Sequence, residues 1–407
     1  MPEGLLRGCR VIDLSTLFAG PFAAMMLGDH GADVVKVEHP SGDDLRNWGH
    51  EKDGHPLFFR MVNRNKRLIA VDLHEDAGQE VIRRLLADAD VLISNFRPGR
   101  LEAWGLGWPD LRRLNPRLVH AAVSGFGQTG PYSRRPGFGT IAEAMSGFAA
   151  VTGTPSGTPV LPPFGLADGI AGITTAFAVS AALWDRERTG SGVQIDTALY
   201  EPLMSVVGSH IVEYDQLGSL QERMGNAVPQ IAPRNTYRTR DGHWVVLSGA
   251  AQNVAERLLR LVGGEEAVND PRFATNPARL ANREALDRLI GRWITVRPRS
   301  EVLDSMAAAD VAVAPVYDAS DILGDEHFRI RGSIIEVEDM DLGWVRMQGP
   351  FPAVPQRPGS VSRAIRDAIG TDTDTVLQEL GYAPAEISEL ASSGTIARRA
   401  PTTRPCR

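Results

Sequence analysis

The chain contains little cysteine and little lysine, and each scarcity excludes a kind of chemistry. Its 407 residues include two cysteines, Cys9 and Cys406, near opposite ends of the sequence. One distant pair makes neither a disulfide framework nor a cysteine metal cluster, so we expect a reduced, cytoplasmic protein. Lysine occurs only at Lys36, Lys52 and Lys66, so arginine carries nearly all of the positive charge. Few candidates are left for a Schiff-base lysine.

Long apolar runs and excess positive charge are also missing. The longest uncharged apolar stretch, residues 169–184, is short and rich in Ala, Gly and Thr, which predicts a buried helix and not a membrane span. The N-terminus lacks the basic-then-apolar pattern of a signal peptide. The net charge of −7 disfavours non-specific binding to nucleic acid, which needs a basic surface. Neither nucleic acid nor membrane is an expected partner.

Motifs that bind phosphates or metals are absent or incomplete. The sequence contains no G-x-S-x-G elbow and no G-x-x-x-x-G-K-[ST] loop. The G-x-G-x-x-G pattern at Gly125–Gly130 precedes Pro131 and not a helix, so we interpret it as a glycine-rich turn. The nine histidines show no pair at helical ligand spacing with a third ligand nearby, which predicts no metal site.

Strands and helices alternate along the first half of the chain. Short β-type runs at residues 10–14, 32–38, 68–73, 91–94 and 118–124 are separated by amphipathic or apolar helical segments. This pattern predicts an α/β fold with a doubly wound, Rossmann-like sheet over residues 1–200. We further predict a linker helix within 201–224, a smaller α/β domain over 225–325, a returning segment at 330–393 and a disordered tail at 394–407.

Two polar segments lie beside predicted strands. The basic run of Arg60, Arg64, Lys66 and Arg67 is either a solvated face or an edge that binds phosphate. Asn95, Phe96 and Arg97 follow the strand at 91–94, where ligands bind in parallel sheets, although a plain turn explains them equally well.

Asp168 begins a buried helical segment after an apolar, glycine-bearing loop. Its residue type is typical of an N-cap, in which the carboxylate accepts hydrogen bonds from the first helical amides. A carboxylate in such a place can also be a nucleophile, because the amides favour its ionised form while burial strips its water.

Several motifs in order make the chain resemble the class III CoA-transferases, the family of formyl-CoA transferase, carnitine CoA-transferase and α-methylacyl-CoA racemase. They are RVIDLSTLFAGPFAAMMLGDHGADVVKVEHPSGDD, NRNKRLIAVDL, ISNFRPG, NPRLVHAAVSGFGQTGPY, LADGIAG and RTGSGVQIDTALYE. The resemblance covers about residues 5–390. It implies a Rossmann-like large domain, a smaller domain, and an interlocked homodimer in which each ring-shaped chain threads the other.

The resemblance also implies the site. The family's catalytic aspartate falls on Asp168. Coenzyme A is then substrate and product, with no tightly bound cofactor and with acyl-CoA and carboxylic acid as partners. Contacts to CoA fall on Phe18, Ala19, His39, Leu73, His74, Glu75, Asp76, Asn95, Phe96, Arg97, Gly137, Phe138 and Gly139.

For a CoA-transferase we expect Asp168 to attack the thioester, giving an aspartyl anhydride and then an aspartyl-CoA thioester. Amides at the helix start are candidate oxyanion donors. Three departures bear on this: Ala103 replaces an arginine of some relatives, with Arg100 a substitute; Gly139 replaces an acidic residue; and the loop Ser248–Gln252 lacks a glycine run. The alternatives are a racemase of the same family, a non-catalytic CoA-ester binder and a nicotinamide-dependent oxidoreductase.

Overall fold

A computed structural model describes residues 4–249, 251–364 and 368–398. The strands are β1 (Arg10–Asp13), β2 (Asp33–Glu38), β3 (Glu51–Lys52), β4 (His55–Pro56), β5 (Lys66–Val71), β6 (Val91–Ser94), β7 (Val119–Ser124), β8 (Gln194–Ala198), β9 (Arg234–Arg238), β10 (Trp244–Ser248), β11 (Val313–Pro315), β12 (Ile334–Asp339), β13 (Gly343–Gln348) and β14 (Ile396–Ala397).

The α-helices are α1 (Ala19–Asp29), α2 (Leu57–Asn63), α3 (Asp76–Ala87), α4 (Arg100–Ala103), α5 (Trp108–Leu114), α6 (Gly139–Met145), α7 (Phe148–Val151), α8 (Leu166–Thr189), α9 (Tyr200–Val207), α10 (His210–Leu217), α11 (Gln252–Val268), α12 (Asn276–Ala281), α13 (Arg283–Thr295), α14 (Arg299–Ala308), α15 (Ala319–Gly324), α16 (Glu326–Ile330), α17 (Thr373–Glu379) and α18 (Pro384–Ser392). A 3₁₀ turn spans Asp44–Asn47. The chain divides into two compact units, the smaller of which takes residues 150–160 and 217–326.

The larger unit is built on a mainly parallel sheet with the strand order β14-β5-β2-β1-β6-β7-β8. In this sheet the six strands β5, β2, β1, β6, β7 and β8 are parallel, and the edge strand β14 pairs with β5 in the antiparallel direction. The chain moves outward from β1 through β2 to β5 and then returns to β6 on the other side. Strand order therefore reverses between β1 and β6, which is where open α/β sheets bind ligands. The predicted α/β class with a parallel central sheet is confirmed.

Alternating strand residues feed two separate apolar layers. Val11 in β1 packs with α1 and α8 on one face. Its neighbour Ile12 packs with α3, α17 and α18 on the other. This is the period of two that strands impose, and it explains why β1 and its neighbours are apolar throughout: both faces are covered.

Helix α8 is buried along one side only. Thr175, Ala176 and Val179 face the core, whereas Phe177 and Trp184 are 72% and 71% exposed. The expectation of a buried helix therefore holds for one side of α8 and not for the other. Among the described residues α8 alone is long and apolar enough to cross a membrane, but core helices of soluble proteins share those properties, and α8 packs against α1.

The basic run before β5 is neither a solvated face nor a phosphate edge. Arg60 is buried and bonds to Asp339 and Asp341, and Arg64 is buried and pairs with Asp29. Arg67 pairs with Asp33 and also with Glu379. These bonds hold the hairpin β12–β13 and helix α17 to the first half of the sheet. They anchor the returning C-terminal segment.

Two boundaries differ from the sequence expectations. The single linker helix predicted within residues 201–224 is two helices, α9 and α10, which part at Gly208 (φ 111°). The predicted disordered tail starts too early, because Ile396 and Ala397 pair with β5 as the edge strand β14. Residues 399–407 of that predicted tail lie outside the described part of the chain.

The smaller unit has its own core. Strands β9, β10 and β11 form an antiparallel sheet covered by α11, α13 and α14, with Leu258, Ile290 and Met306 buried between them. The loop that follows β10 was compared above with a glycine run. Its residue Ala250 lies outside the described residues, and Gln252 already belongs to α11.

Candidate active site

The loops that follow β1 and β6 meet at the reversal point of the sheet. The side-chain amide of Asn95 accepts a hydrogen bond from the Thr16 amide at 2.8 Å and donates one to the Thr16 carbonyl at 2.7 Å. Asn95 therefore closes the loop after β1 against the loop after β6. Its predicted contact with CoA stays a prediction, since the structure shows it engaged in holding this loop.

Asp168 lies in the first turn of α8 and is not its N-cap. The helix begins at Leu166 with Gly165 as N-cap residue, and no side chain of Gly165 is available to bond the first amides. The expectation that Asp168 caps the helix is wrong by three positions. Its carboxylate is left to point into the neighbouring clefts.

Glu143 of α6 supplies the missing cap from outside the helix. Its Oε1 accepts hydrogen bonds from the amides of Leu166 at 3.0 Å and Ala167 at 3.3 Å, and the residue is only 2% exposed. Helix N-termini leave such amides without partners, and a carboxylate there is favoured by the helix dipole. These two amides are thus occupied, so they are not the oxyanion donors that the sequence led us to expect.

The environment of Asp168 opposes its ionisation. Burial is the larger cause and the nearby charge of Glu143 the second, and together they raise the pKa of Asp168 to about 6. Within the described residues no Lys, Arg or His pairs with this carboxylate. A carboxylate that is partly desolvated and unpaired is more basic than usual, which suits a nucleophile that must attack near neutral pH.

Glycine at position 139 makes room for the Asp168 carboxylate. A Cβ built on Gly139 would lie 1.9 Å from Oδ2 of Asp168, closer than any real contact. Gly165 is a second close neighbour of this carboxylate, since a Cβ there would lie 3.3 Å from the same Oδ2. A side chain at position 139 would not fit beside Asp168 in this arrangement.

Two clefts open onto Asp168. The first, about 140 Å³, is bounded by Phe18, Ala19, Asn95, Arg97, Gly137 and Phe138. The second, about 630 Å³, is mostly apolar and is lined by Leu17, Phe18, Trp48, Phe138, Ile141 and Phe164. Phe138, at 56% exposed, stands between both clefts and solvent. The structure therefore brings six predicted CoA contacts together around Asp168, with Gly139 at its carboxylate.

Arg97 is the cation of the smaller cleft. Its guanidinium makes no hydrogen bond or ion pair within the described residues, which leaves it available for an anion. Arg100, the possible substitute for an arginine at Ala103, lies over the Trp104 ring at 5.6 Å. Phe96 packs edge-on against the same ring, with centroids 5.1 Å apart. Phe96 thus packs the loop after β6, which carries Arg97, against Trp104.

The remaining predicted CoA contacts lie at the carboxyl ends of β2 and β5. His39 and His74 are exposed there, with Asp72 between them: His74 Nδ1 lies 2.8 Å and His39 Nε2 3.6 Å from its carboxylate. One ligand atom of each lies within 4.8 Å of the others, a nitrogen and oxygen set of the kind that binds Zn²⁺ or Ni²⁺. Histidine spacing alone did not reveal this group, because its two histidines follow different strands, β2 and β5.

Leu73, Glu75 and Asp76 lie at the same edge. Leu73 is buried in the core, whereas Glu75 is the N-cap residue of α3 and Asp76 its first residue. These positions form a strand-to-helix turn beside His74. None of them lines either cleft at Asp168.

The glycine pattern at 125–130 has a structural role. Gly125 and Gly137 approach so closely that a Cβ on either would lie within 3.0 Å of the other's Cα. Gly127 and Gly130 have φ values of 80° and 83°, which favour glycine. The next α-helix, α6, begins only at Gly139. The interpretation as a turn is confirmed.

Sequence reasoning missed Glu143 and the conformation of Leu17. Glu143 is a lone acid on a small apolar helix, which reads as a solvated residue until α8 is placed beside it. Leu17 has a φ of 63°, a left-handed conformation that is rare for a bulky residue. No residue type in the sequence signals that strain.

Comparison with known proteins assigns the family. Residues 6–373 match the family model of CoA-transferase family III. The chain is 41% identical over 362 residues to succinyl-CoA–D-citramalate CoA-transferase of Chloroflexus aurantiacus, covering 88% of this chain and 90% of that protein. It is 32% identical over 395 residues to succinyl-CoA:glutarate CoA-transferase of Homo sapiens, covering 96% and 90%.

A solved structure agrees. The crystal structure of a CaiB/BaiF family protein from Brucella suis has a TM-score of 0.82 at 34% identity, over 93% of this chain and 100% of that one. The resemblance to this family and the expectation of an enzyme are both confirmed. The chain belongs to CoA-transferase family III and is an enzyme of CoA exchange between acyl-CoA and carboxylic acid.

Proposed function

We propose that Asp168 is the covalent nucleophile of this CoA transfer. The observation that carries the proposal is its carboxylate: unpaired within the described residues, partly desolvated, and open to two clefts. Desolvation removes water that would otherwise hydrolyse an activated intermediate. Phe138 and Phe18 supply the apolar walls.

The reaction has two halves that balance without a proton. An Asp168 oxygen attacks the thioester carbonyl and the C–S bond breaks. CoA thiolate is released, and a mixed anhydride of Asp168 and the acyl group is formed. The thiolate then attacks Cγ of Asp168, and the bond between Cγ and the bridging oxygen of the anhydride breaks. The donor acid is released as its carboxylate, and an aspartyl-CoA thioester is formed. The acceptor carboxylate repeats both steps in reverse order and restores the Asp168 carboxylate. Covalent catalysis thus divides one difficult exchange into easier steps.

The positions of CoA follow from the edge of the sheet. We place the thioester beside Asp168 and propose that Arg97, on the wall of the smaller cleft, contacts a phosphate or the adenine ring at the other end of the CoA ester. The exposed groups at His39 and at His74 to Asp76 lie at the ends of β2 and β5, further along the same edge. Arg97→Ala should weaken binding of the CoA ester by about 1.5–3 kcal/mol, the range for a hydrogen bond to a charged group. Unchanged affinity by calorimetry would count against this placement.

We propose succinyl-CoA as the donor to test first, because both curated relatives described above are named for it. The acceptor is a free carboxylic acid. Purified enzyme with succinyl-CoA and a panel of dicarboxylic and aromatic acids, followed by mass spectrometry, should show a new CoA ester. Absence of any new ester, with simple acyl-CoAs tried as donors too, would overturn the proposed function.

We also propose an interlocked homodimer in the cytoplasm. Large apolar side chains are exposed on three successive helices within the larger unit: Phe177 and Trp184 on α8, Val206 on α9, and Val212 and Tyr214 on α10. Monomers rarely expose that much apolar surface, so a second copy is the proposed cover. Sedimentation should give a dimer mass that is independent of dilution. A monomer mass at all concentrations would contradict the proposal.

The racemase alternative needs a base on each face of the α-carbon. By resemblance, the two bases in the racemase branch of the family are a His and an Asp. The position that corresponds to that His is Phe138 in this chain, and a phenyl ring accepts no proton. We therefore expect CoA transfer without exchange of the α-hydrogen of a branched acyl-CoA into deuterated water. Rapid deuterium uptake in the absence of an acceptor acid would favour the racemase.

A further inference from the structure

The loop of residues 15–18, between β1 and α1, is strained at the residue beside the site. Leu17 is held at a φ of 63°, and a bulky residue adopts that conformation only when its surroundings impose it. Leu17 and the adjacent Phe18 line the apolar cleft together with Asp168. The group that imposes the conformation therefore also shapes the site.

A buried ion pair provides that constraint. Asp43 Oδ1 accepts hydrogen bonds from the Leu17 amide at 3.2 Å and from the Leu45 amide at 2.9 Å. Its Oδ2 pairs with the Lys36 ammonium at 2.7 Å, and both side chains are 0% exposed. Lys36 also donates to the carbonyl of Ser15. The ion pair is thus hydrogen-bonded to the loop at two backbone positions, the Ser15 carbonyl and the Leu17 amide.

Lysine, elsewhere nearly absent, is concentrated here. Lys36 and Lys66 are two of the three lysines, and both are fully buried under this loop. Lys66 donates to Asp13 at 2.9 Å and to the Pro21 carbonyl at 2.7 Å. An ammonium is a compact charge that can satisfy several acceptors at one point, whereas a planar guanidinium needs more room. The use of lysine at these two positions, in a chain whose other cations are nearly all arginine, indicates that a compact charge is needed beneath the loop.

We propose that Lys36 and Asp43 are positioning residues for the transfer reaction, which hold Leu17 in its left-handed conformation and thereby keep Phe18 against Asp168. The proposal rests on the proposed role of Asp168 as nucleophile. Neither residue lines the clefts or touches the carboxylate. They act through the loop alone, while Asn95 fixes Thr16 from the opposite side.

The test replaces the pair by apolar residues of similar size. The double variant Lys36→Met/Asp43→Leu leaves no lone buried charge, and such replacements are often neutral for folding. Amide hydrogen exchange over residues 14–20 should accelerate at least tenfold. The kcat for CoA transfer should fall at least tenfold while KM for the CoA ester stays within threefold. The acidic limb of the pH profile should also move to lower pH, because a released loop hydrates Asp168, leaving Glu143 as the charged group facing it.

The control is the matched variant Arg64→Met/Asp29→Leu, which removes another pair of buried side chains in the same unit. It should keep kcat within twofold and leave exchange over residues 14–20 unchanged. Native kcat and native exchange in the Lys36/Asp43 variant would overturn the proposal. Should that variant not fold, Lys36→Leu/Asp43→Ala takes its place, because it also leaves no lone buried charge, and native kcat with it would overturn the proposal equally. Failure of wild-type enzyme to transfer CoA at all would instead refute the proposed function, while the exchange result still tests the loop.

Discussion

Asp43 and Asp168 are both withdrawn from solvent in the larger unit, yet their surroundings act in opposite directions. Burial opposes ionisation of Asp43, but the Lys36 ammonium and the hydrogen bonds from Lys36, Leu45 and Leu17 outweigh it and lower its pKa. Burial opposes ionisation of Asp168 as well, and there the nearest charge is Glu143, so its pKa rises to about 6. The sign of the partner decides what each carboxylate does.

The comparison shows how one unit separates stability from reactivity. Asp43 is fully satisfied by cation and amides, so it stabilises the loop and stays inert. Asp168 has no cation, and Glu143 already occupies the Leu166 and Ala167 amides, so only its own backbone amide favours its ionised form and the carboxylate retains its basicity. Perturbed groups in clefts are the ones expected to carry chemistry. The variants below test that division, beginning with the largest effect.

Asp168→Asn should reduce CoA transfer by at least about 10³-fold, the scale expected for loss of a covalent nucleophile. The amide has the same shape but does not form an anhydride with the acyl group. Steady-state transfer measured by mass spectrometry gives the ratio. Asp185→Asn, at the exposed far end of α8, is the control and should stay within twofold. Residual transfer above one-tenth of wild type would remove Asp168 from the covalent path.

The same substitution at the two carboxylates should change stability in opposite directions. Asp43→Asn leaves Lys36 as an uncompensated buried charge and should cost about 3–5 kcal/mol of the free energy of unfolding. Asp168→Asn should stabilise at pH 7, because a pKa raised from 3.8 to about 6 means that ionisation costs the native state on the order of 2–3 kcal/mol.

The pH dependence fixes the sign of that gain. The native state of wild type holds the Asp168 proton between about pH 4 and 6 while the unfolded state has lost it, so the cost grows across that window and is complete above it. Denaturant unfolding at pH 4 and pH 7 should show no advantage of Asp168→Asn at the lower pH and the full advantage at the higher. Destabilisation by Asp168→Asn at pH 7 would mean that the carboxylate is satisfied by a partner.

Gly139→Ala should lower kcat by about 10²-fold, the cost of displacing a reacting group by roughly 1 Å. The new Cβ would meet Oδ2 of Asp168 at 1.9 Å and force the carboxylate to another rotamer. Gly169→Ala is the matched control, because its Cβ meets only the Phe18 ring, at 3.9 Å, and alanine suits a helix interior. Equal activity of both variants would show that the carboxylate does not need the position seen here.

Glu143→Gln should have the smallest effect. The amide oxygen still accepts from the Leu166 and Ala167 amides, so the start of α8 keeps its cap while the negative charge is removed. The acidic limb of the kcat profile should move from about 6 to a lower pH, remaining above 3.8 because burial is the larger cause. An unmoved limb would show that Glu143 does not influence the charge of Asp168.

Local patterns predicted the frame of the larger unit well. Runs of Val, Ile and Ala predicted the parallel strands, and the segment Asn95–Arg97 was expected at a strand end. The strand order, and with it the reversal point between β1 and β6, is known only from the structure. Asp168 was predictable as a residue at a helix start, but its place in the first turn was not, because an external carboxylate performs the capping. A cap from another helix leaves no trace in the sequence of the helix that it serves.

The rest depends on partners that are distant along the chain. Arg60 and Arg64 look like a surface run until Asp339 and Asp29 are brought beside them. Lys36 is an ordinary polar residue within a β-type run until Asp43 closes over it. Charge in a sequence indicates exposure by default, and only tertiary pairing reverses that expectation.

The central claim is that Asp168 carries the CoA-linked intermediate, and chemical trapping tests it most directly. Wild-type enzyme is mixed with acyl-CoA, quenched with hydroxylamine, digested and sequenced by mass spectrometry. Hydroxylamine attacks Cγ of an aspartyl-CoA thioester and releases CoA, which should leave a hydroxamate on Asp168 that is missing without acyl-CoA. An adduct on another residue, or none during active transfer, would contradict the account.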